Sequence, residues 1–367
     1  MASDRFVMEQ ANEADAAEIL SLLEENPLPG KVALIYTRRS DPYRSFMTEG
    51  LEARLMVCRD TQEGRIAALG AGAIHECLIE RRPEKVAYLF GLRFRREYLG
   101  KRVMLHLPGA YRAIVEHFRG QGVHYFLTVI LADNLPAQRL LTKERSYMPR
   151  HTFLCPYHTL TFLTRRNAPS LPNSYRFRRA TPEDRTALEN FLTAEGGRCD
   201  FFPSRIGDLF GRHPELSWES FRLLTDRQGG ILACGAAWDQ ASHKQYLVAG
   251  YGGNLRWLRL VSPLLRPLGY PPMPKPSTVL RFFILAFWCV KDNRAEYLKG
   301  FLDSLAHEAR DYPYFVMGVP EAHPLGPALN EWKFLGYNSH IYLVGDPVTP
   351  EDAARLRRSP YLECGWL

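Results

Sequence analysis

The sequence predicts an α+β fold made of two consecutive units of the same kind, each a mixed, mostly antiparallel sheet flanked by helices. Three observations lead to this prediction. First, 367 residues exceed one ordinary core and suit two domains of roughly 150 to 200 residues each. Second, a segment near the start of the chain recurs in its middle. Third, several strands follow one another in each unit before the next helix, unlike the strict alternation of a doubly wound sheet.

The repeated segment begins at Phe6 as FVMEQANEADAAEILSLL and at Tyr175 as YRFRRATPEDRTALENFL. Alternating apolar residues at the start of each copy predict a half-buried strand. Asn12 and Thr181 then stand where a helix N-cap belongs, and apolar residues recur behind them at helical spacing. Each copy therefore predicts a strand followed by an amphipathic helix. The alternative is a chance likeness between two ordinary strand–helix pairs.

The segment RRNAPSLPN, residues 165–173, separates the two copies. It is rich in Pro, Asn and Ser and lacks a hydrophobic period, which is typical of a linker. We therefore predict a first domain over 1–166, a linker over 167–173 and a second domain over 174–367.

Both units continue in the same order: a loop-rich stretch (27–50 and 196–214), several strands, a long helix, a strand, another helix and a last strand. The predicted strands are 55–59, 66–77, 85–92, 125–131 and 152–162 in the first unit, and 221–225, 231–238, 245–251, 279–290, 314–319 and 339–344 in the second.

Composition narrows the classes of function. The net charge of +7 could attract nucleic acid, a membrane surface or an anionic small molecule, but dispersed arginines and the lack of any nucleic-acid-binding signature make nucleic acid unlikely. The longest apolar run, Phe282–Val290, is too short to cross a bilayer, and no secretory signal opens the chain, so we expect a cytoplasmic protein with no membrane partner. Seven scattered cysteines without zinc-type spacing predict reduced thiols and no metal.

The stretch AYLFGLRFRREYLGKRVM, residues 87–104, resembles the cofactor-binding region of the GNAT superfamily of acyl-CoA-dependent N-acyltransferases. Leu99 to Met104 align with that family's R/Q-x-x-G-x-G/A loop, of which only Gly100 is kept. Arg102 and Met104 take places where the family prefers a small residue. The resemblance implies that the fourth strand splays from the fifth, and that the loop before the third helix binds the pyrophosphate of coenzyme A through backbone amides.

Basic residues crowd this junction. Positive charge near a helix N-terminus opposes the helix dipole, so it requires either full solvation or a nearby anion, and the phosphates of coenzyme A would supply one. A solvated basic face is the alternative. With the resemblance, the predicted cofactor-binding residues here are Leu92, Arg93, Phe94, Arg95, Arg96, Gly100, Lys101, Arg102 and Val103.

Two further cofactor contacts come from ADNLPAQRLL, residues 132–141, directly after the strand 125–131. Asn134 and Ala137 match the family's N-x-x-A signature, which implies that the Asn lines the cofactor arm and that the small residue lets the helix lie close. Leu141 stands where the family often has a tyrosine that acts as general acid, so that role is unassigned.

Acylation of an amine by a thioester needs a general base, a polarised carbonyl and a proton for the leaving thiolate. Glu76 and His75 lie on the strand beside the proposed cofactor strand, and alternation places them on opposite faces. Tyr88 on the cofactor strand is a third catalytic candidate. For each, a packed or solvated structural position is the alternative, and a backbone amide near Leu92 could polarise the carbonyl.

The second unit lacks a glycine pattern at the equivalent junction, and its later strand ends in PEAHP instead of N-x-x-A. We therefore expect degenerate cofactor binding there. The resemblance implies an enzyme that moves an acetyl or other acyl group from coenzyme A to an amine, with acetyl-CoA or another acyl-CoA as donor. Two alternatives stay open: a catalytically degenerate module that binds coenzyme A or acyl-CoA, and a pseudo-twofold scaffold for a macromolecular partner.

Overall fold

The structure is a computed structural model of the 367-residue chain. It describes residues 5–28, 30–99, 102–164, 171–264, 272–332, 334–345, 349–358 and 360–367; of Arg102 only the backbone is described.

The first half of the chain builds seven strands and four helices among the described residues. They are β1 Phe6–Gln10, α1 Ala16–Glu25, β2 Val32–Thr37, α2 Pro42–Met47, β3 Glu52–Asp60, β4 Arg65–Ile79, β5 Arg82–Phe94, α3 Leu107–Arg119, β6 Tyr125–Leu131, α4 Leu135–Thr142 and β7 His151–Leu163.

The second half repeats this order with short additions. Its elements are β8 Tyr175–Arg179, α5 Arg185–Phe191, β9 Phe202–Pro203, β10 Phe221–Asp226, β11 Ile231–Trp238, β12 Gln245–Tyr251, α6 Leu255–Val261, β13 Phe282–Val290, α7 Ala295–Glu308, β14 Tyr314–Pro320, α8 Gly326–Leu329, β15 Phe334–Val344 and α9 Pro350–Leu356.

The repeated segments begin as predicted. Asn12 and Thr181 each cap a helical turn, and the carboxylates of Asp15 and Asp184 accept hydrogen bonds from their backbone N–H groups at 2.9 and 2.8 Å. Each capping box satisfies a backbone donor that the helix itself leaves without a partner. The same local chemistry therefore starts both halves.

One large mixed sheet joins the two halves. Its strand order is β1-β3-β4-β5-β6-β15-β7-β14-β13-β11-β10-β8, with β9 paired to the side of β4. The order from one end, β1-β3-β4-β5-β6, corresponds strand by strand to the order from the other end, β8-β10-β11-β13-β14. This correspondence is expected of a pseudo-twofold arrangement. The last strands are exchanged: β15 of the second half pairs with β6, and β7 of the first half pairs with β14.

The strand predicted for residues 245–251 is present, but its partner comes from the first half of the chain. This strand, β12, lies outside the large sheet and pairs with β2 in a separate two-stranded sheet. β2 lies within the stretch 27–50, for which the sequence predicts mainly loop. Tyr36 and Tyr246 face each other in this ribbon, with ring centroids 5.4 Å apart. Cross-strand aromatic contacts of this kind stabilise a ribbon that short strands alone would not hold.

Helices cover both faces of the sheet. Helix α1 buries Ile19 and Leu22 against a cluster that includes Leu69 of β4. Helix α3 packs closely on the opposite face, where a Cβ on Gly72 would lie 2.8 Å from Phe118. Among the helices that the described residues form, none combines the length and the apolar character needed to cross a bilayer.

Candidate functional site

Strands β5 and β6 run side by side and then separate. Their parallel pairing extends from Val86 opposite Tyr125 to Leu89 opposite Thr128 and stops there. At the last pair the Thr128 hydroxyl donates to the Leu89 carbonyl at 2.9 Å. Beyond it β5 continues along β4, whereas β6 follows β15. The sheet is therefore open between the two strands, and the peptide groups of residues 90–94 that face β6 have no partner in the β-ladder.

A bulge in β5 marks the start of this gap. The register with β4 shifts so that Ala71 faces Phe90 but Leu69 faces Arg93, and Gly91 adopts a φ of +71°. A glycine accepts this conformation without steric strain. Beyond the bulge, Leu92 packs on the cluster beneath α3, whereas Arg93 lies beside tyrosines of the opposite face.

A cavity of about 410 Å³ passes through the gap and reaches both faces of the sheet. On the face of α3 its wall is apolar, and we call this part the α3 arm; it is lined by Met8, Met56, Leu92, Phe94, Val103, Leu107, Ala110, Tyr111 and Ile114. On the other face the β2–β12 ribbon covers the cavity, and we call this part the tyrosine arm; it is lined by Tyr36, Tyr88, Arg93 and Tyr246.

Arg93 supplies the only charged side chain among the described residues that line the cavity. Its guanidinium donates to the neighbouring carbonyl of Leu92 at 3.1 Å and forms no ion pair with any described carboxylate. Burial lowers the pKa of Arg93, which reflects how poorly the surroundings solvate its charge. An anionic group in the tyrosine arm would compensate this guanidinium with paired hydrogen bonds.

The tyrosines of this arm are hydrogen-bond donors at neutral pH. Burial raises the pKa of Tyr36, of Tyr88 and of Tyr246, so all three hydroxyls keep their protons. The Tyr36 hydroxyl accepts a hydrogen bond from Arg38 at 2.5 Å, which leaves its own proton available to the cavity.

A buried ion cluster supports the tyrosine arm from behind. Arg38 is fully buried and contacts the Glu49 carboxylate at 2.5 Å, and Lys244 approaches the same carboxylate at 3.3 Å. Burial opposes ionisation of Glu49, but the two cations outweigh it and lower the pKa of Glu49 to about 2. The cluster joins the segments on either side of α2 in the first half to the loop before β12 in the second.

His75 and Glu76 point to opposite faces of β4 and neither lines the cavity. The His75 ring stacks on Trp366 at 3.8 Å, and burial lowers the pKa of His75 to about 3. Glu76 accepts a hydrogen bond from Ser204 at 2.8 Å and pairs with Arg205 at 2.9 Å. Each side chain is thus engaged in packing or in contacts with the second half.

The basic residues predicted to bind the cofactor do not all lie at the cavity. Arg95 is buried and donates to the Ile66 carbonyl at 2.8 Å and to Glu25 at 2.9 Å. Arg96 donates to Asn26 at 3.1 Å. These two arginines therefore hold the end of α1 in place, and Glu25 offsets the charge of Arg95. Gly100, Lys101 and the side chain of Arg102 lie outside the described residues.

Most of the other predicted residues meet at the cavity. Its lining includes Tyr88, Leu92, Arg93, Phe94, Val103, Asn134 and Ala137. The Asn134 side chain accepts a hydrogen bond from the Ala137 N–H at 3.2 Å and so caps α4 where that helix meets the cavity. Tyr36 and Thr128 also line the cavity and were not among the predicted residues. The alternation in VALIYT, residues 32–37, was the available signal for Tyr36.

The corresponding gap in the second half is filled by the chain itself. Pairing of β13 with β14 ends at Ile284 opposite Val316. The Glu363 carboxylate then accepts the N–H of Phe287, a residue with a φ of +52°, at 2.8 Å. Tyr157 donates to the Leu362 carbonyl at 2.9 Å from the side of β7. Residues 361–366 thus occupy the place that the cavity occupies in the first half.

Two diverging strand pairs in one pseudo-twofold sheet define the tandem form of the GNAT fold. The α+β fold class predicted from the sequence is therefore confirmed. The chain matches Saccharomyces cerevisiae N-myristoyltransferase with bound myristoyl-CoA with a TM-score of 0.61 and 9% identity, over 98% of this chain and 85% of that one. It matches a GCN5-related N-acetyltransferase from Sphaerobacter thermophilus with a TM-score of 0.56 and 13% identity, over 94% and 96%. No protein-family model and no curated protein matches the sequence. At such identities the likeness establishes the fold.

Proposed function

We propose that the protein is an acyl-CoA-dependent N-acyltransferase that uses the gap between β5 and β6 of its first half. The observation that carries this proposal is the separation of these strands beyond Leu89 and Thr128 into a cavity that crosses the sheet. A ligand in the gap would find the backbone of residues 90–94, which lies beyond the β5–β6 ladder, on one side and Asn134 at the start of α4 on the other. Preorganised amides of this kind stabilise the oxyanion that forms when a thioester carbonyl is attacked.

The α3 arm favours a hydrocarbon acyl group over acetyl. Its described side chains are apolar except for the hydroxyl of Tyr111, and each methylene buried there contributes about 0.8 kcal/mol. The yeast enzyme with the same fold was solved with myristoyl-CoA bound. We propose that the donor is a medium- or long-chain acyl-CoA.

The tyrosine arm favours an acceptor that carries a negative group beside its amine. Arg93 would hold that group because no carboxylate side chain lines the described cavity. The amine would then face the thioester in the gap from the side of the β2–β12 ribbon. Carboxylate-bearing amines, amino acids and peptides among them, are the acceptor class that this arrangement fits.

Tyr88 is the proposed general acid. The amine nitrogen attacks the thioester carbon, the C–S bond breaks, and the thiolate takes the hydroxyl proton of Tyr88, which burial keeps protonated until then. Water accepts the proton that the amine loses and returns one to Tyr88. The described cavity lining contains neither a carboxylate nor an imidazole side chain. This favours the second candidate function, a module that binds acyl-CoA without transferring the acyl group.

Release of free thiol distinguishes these functions. Acyl-CoAs from acetyl to palmitoyl are incubated with the full chain and with amines that differ only in a free or amidated carboxylate. We expect thiol release with long-chain donors and free-carboxylate acceptors, and its strong reduction in Tyr88→Phe but not in Tyr147→Phe, whose ring is exposed. Calorimetric binding of acyl-CoA without thiol release would support the binding module. The absence of both would contradict a coenzyme A function altogether.

A further inference from the structure

A second cluster of chemically capable side chains lies away from the cavity, in the second half of the chain. His213 and Glu215 belong to the loop that precedes β10, and His243 belongs to the loop between β11 and β12. His213 is 2% exposed and His243 is 9% exposed, while the Glu215 side chain is 16% exposed. Backbone turns fix both loops, since the His213 N–H donates to Leu209 and the His243 N–H to Gln240, each at 3.0 Å.

The three side chains converge on one point. The Nδ1 atoms of His213 and His243 lie 3.5 and 3.2 Å from the same Glu215 oxygen, and one ligand atom from each residue lies within 4.8 Å of the others. Ligands of a tetrahedral zinc ion with bonds of about 2.0 to 2.1 Å are separated by roughly 3.3 Å. Both histidine–glutamate distances match that spacing.

The surroundings match those of a metal ligand set as well. Trp238 donates its indole N–H to the Glu215 oxygen at 3.0 Å, which orients the carboxylate as a supporting residue does for a metal ligand. Nδ1 of His213 and the second oxygen of Glu215 are buried and have no hydrogen-bond partner. Buried polar atoms in native proteins are nearly always satisfied, by protein, by water or by an ion.

We propose that His213, Glu215 and His243 bind a zinc ion that ties the loop before β10 to the loop before β12. Two imidazoles and one carboxylate are a donor set that zinc takes readily, with water in the fourth position. Because none of the three residues lines the cavity, the zinc ion would have a structural role. It would hold the segment that carries Lys244 and Tyr246 toward the tyrosine arm. The cysteine spacing used to predict that the chain has no metal could not reveal ligands that come from two separate loops.

The test measures zinc on the full-length chain after removal of metal with a chelator, readdition of zinc and gel filtration. Elemental analysis should find one zinc ion per chain in the unmodified protein and none in the His213→Ala/His243→Ala variant. His323→Ala, which removes an equally buried histidine from the same half, should keep its zinc. Zinc should also raise the Tm of the unmodified chain and of His323→Ala only.

Cobalt provides a readout that does not depend on any variant. Co²⁺ added to the metal-free, unmodified chain should give the visible absorption of a four-coordinate ion, and zinc should displace it. No stoichiometric uptake of zinc or cobalt would overturn the proposal and leave the cluster as an ion pair between Glu215 and its histidines. Zinc retained by the double variant would overturn it too. Neither result depends on acyl transfer.

Discussion

The most specific prediction for a single residue concerns Arg93 and the binding of the acceptor. Because Arg93 carries the one charged side chain among the described lining residues, Arg93→Gln should weaken binding of a carboxylate-bearing acceptor. A hydrogen bond to a charged group contributes about 1.5 to 3 kcal/mol, so KM for that acceptor should rise roughly 10- to 100-fold. Acyl-CoA affinity should change little.

Arg96→Gln is the matched control, since that side chain donates to Asn26 and does not line the cavity. Steady-state kinetics with paired free and amidated acceptors measure the difference. If Arg93→Gln instead reduced acyl-CoA affinity and left the acceptor preference intact, Arg93 would contact the donor.

The lowered pKa of Glu49 predicts how the free energy of unfolding depends on pH. Its folded-state pKa of about 2 lies below the value of about 4.3 for an unfolded glutamate, so its contribution is complete above pH 4.3 and is lost as the pH falls toward 2. Glu49→Gln leaves Arg38 and Lys244 buried without their shared carboxylate and should cost about 3 to 5 kcal/mol at pH 7.

Urea unfolding between pH 7 and pH 2 measures both effects. The variant should lose part of the acid dependence together with the stability. Glu13→Gln, which breaks an exposed pair with Arg44, should cost less than about 1 kcal/mol. An equally small loss in Glu49→Gln would show that the buried pair does not stabilise the fold.

At the scale of elements, the two halves differ in what fills the gap between the diverging strands. Glu363 holds residues 361–366 in the second gap by accepting hydrogen bonds from the Phe287 N–H at 2.8 Å and the Tyr361 hydroxyl at 2.7 Å. Glu363→Ala leaves both donors buried without an acceptor, at a cost of about 1 to 3 kcal/mol each.

We therefore expect a clear fall in the urea midpoint of Glu363→Ala and unchanged acyl-CoA binding in the first half. Glu331→Ala, which removes an exposed glutamate of the same half, should unfold like the parent chain. Loss of acyl-CoA binding in Glu363→Ala, with the fold intact, would place the ligand in the second gap.

The elements predicted correctly are those whose signal is local. The caps at Asn12 and Thr181 and the strands β6, β11 and β12 follow from adjacent residues. The partner of β12 could not be predicted, because the pairing of Tyr246 with Tyr36 joins strands more than 200 positions apart and no local pattern specifies it. The same limit applies to prediction of the site. Leu92 and Arg93 lie in one local motif on β5 and could be predicted from it, whereas Tyr36 and Tyr246 reach the cavity only through the distant pairing of β2 with β12.

At the scale of the whole molecule, the exchanged last strands bear on the proposed division at residues 167–173. Strand β7 lies between β15 and β14, and β15 lies between β6 and β7, so each half completes the sheet of the other. We propose that the halves are similar units that fold only together. Residues 1–166 alone would expose the edge of β6 that β15 covers, and they would lack the ribbon partner β12.

Expression of 1–166 and 174–367 separately and together tests this proposal. Each half alone should lack a cooperative thermal transition, and the co-expressed halves should purify as a 1:1 complex with one. A dispersed NMR spectrum and cooperative unfolding of the isolated first half would show that it folds independently.

A crystal structure of the full chain with a long-chain acyl-CoA tests the proposed function most directly. We predict that the thioester lies between β5 and β6 beyond Leu89 and Thr128, with the acyl chain in the α3 arm and residues 361–366 still filling the second gap. A thioester bound elsewhere, or an α3 arm that stays empty while the ligand is ordered, would contradict the assignment of this cavity as the acyl-transfer site.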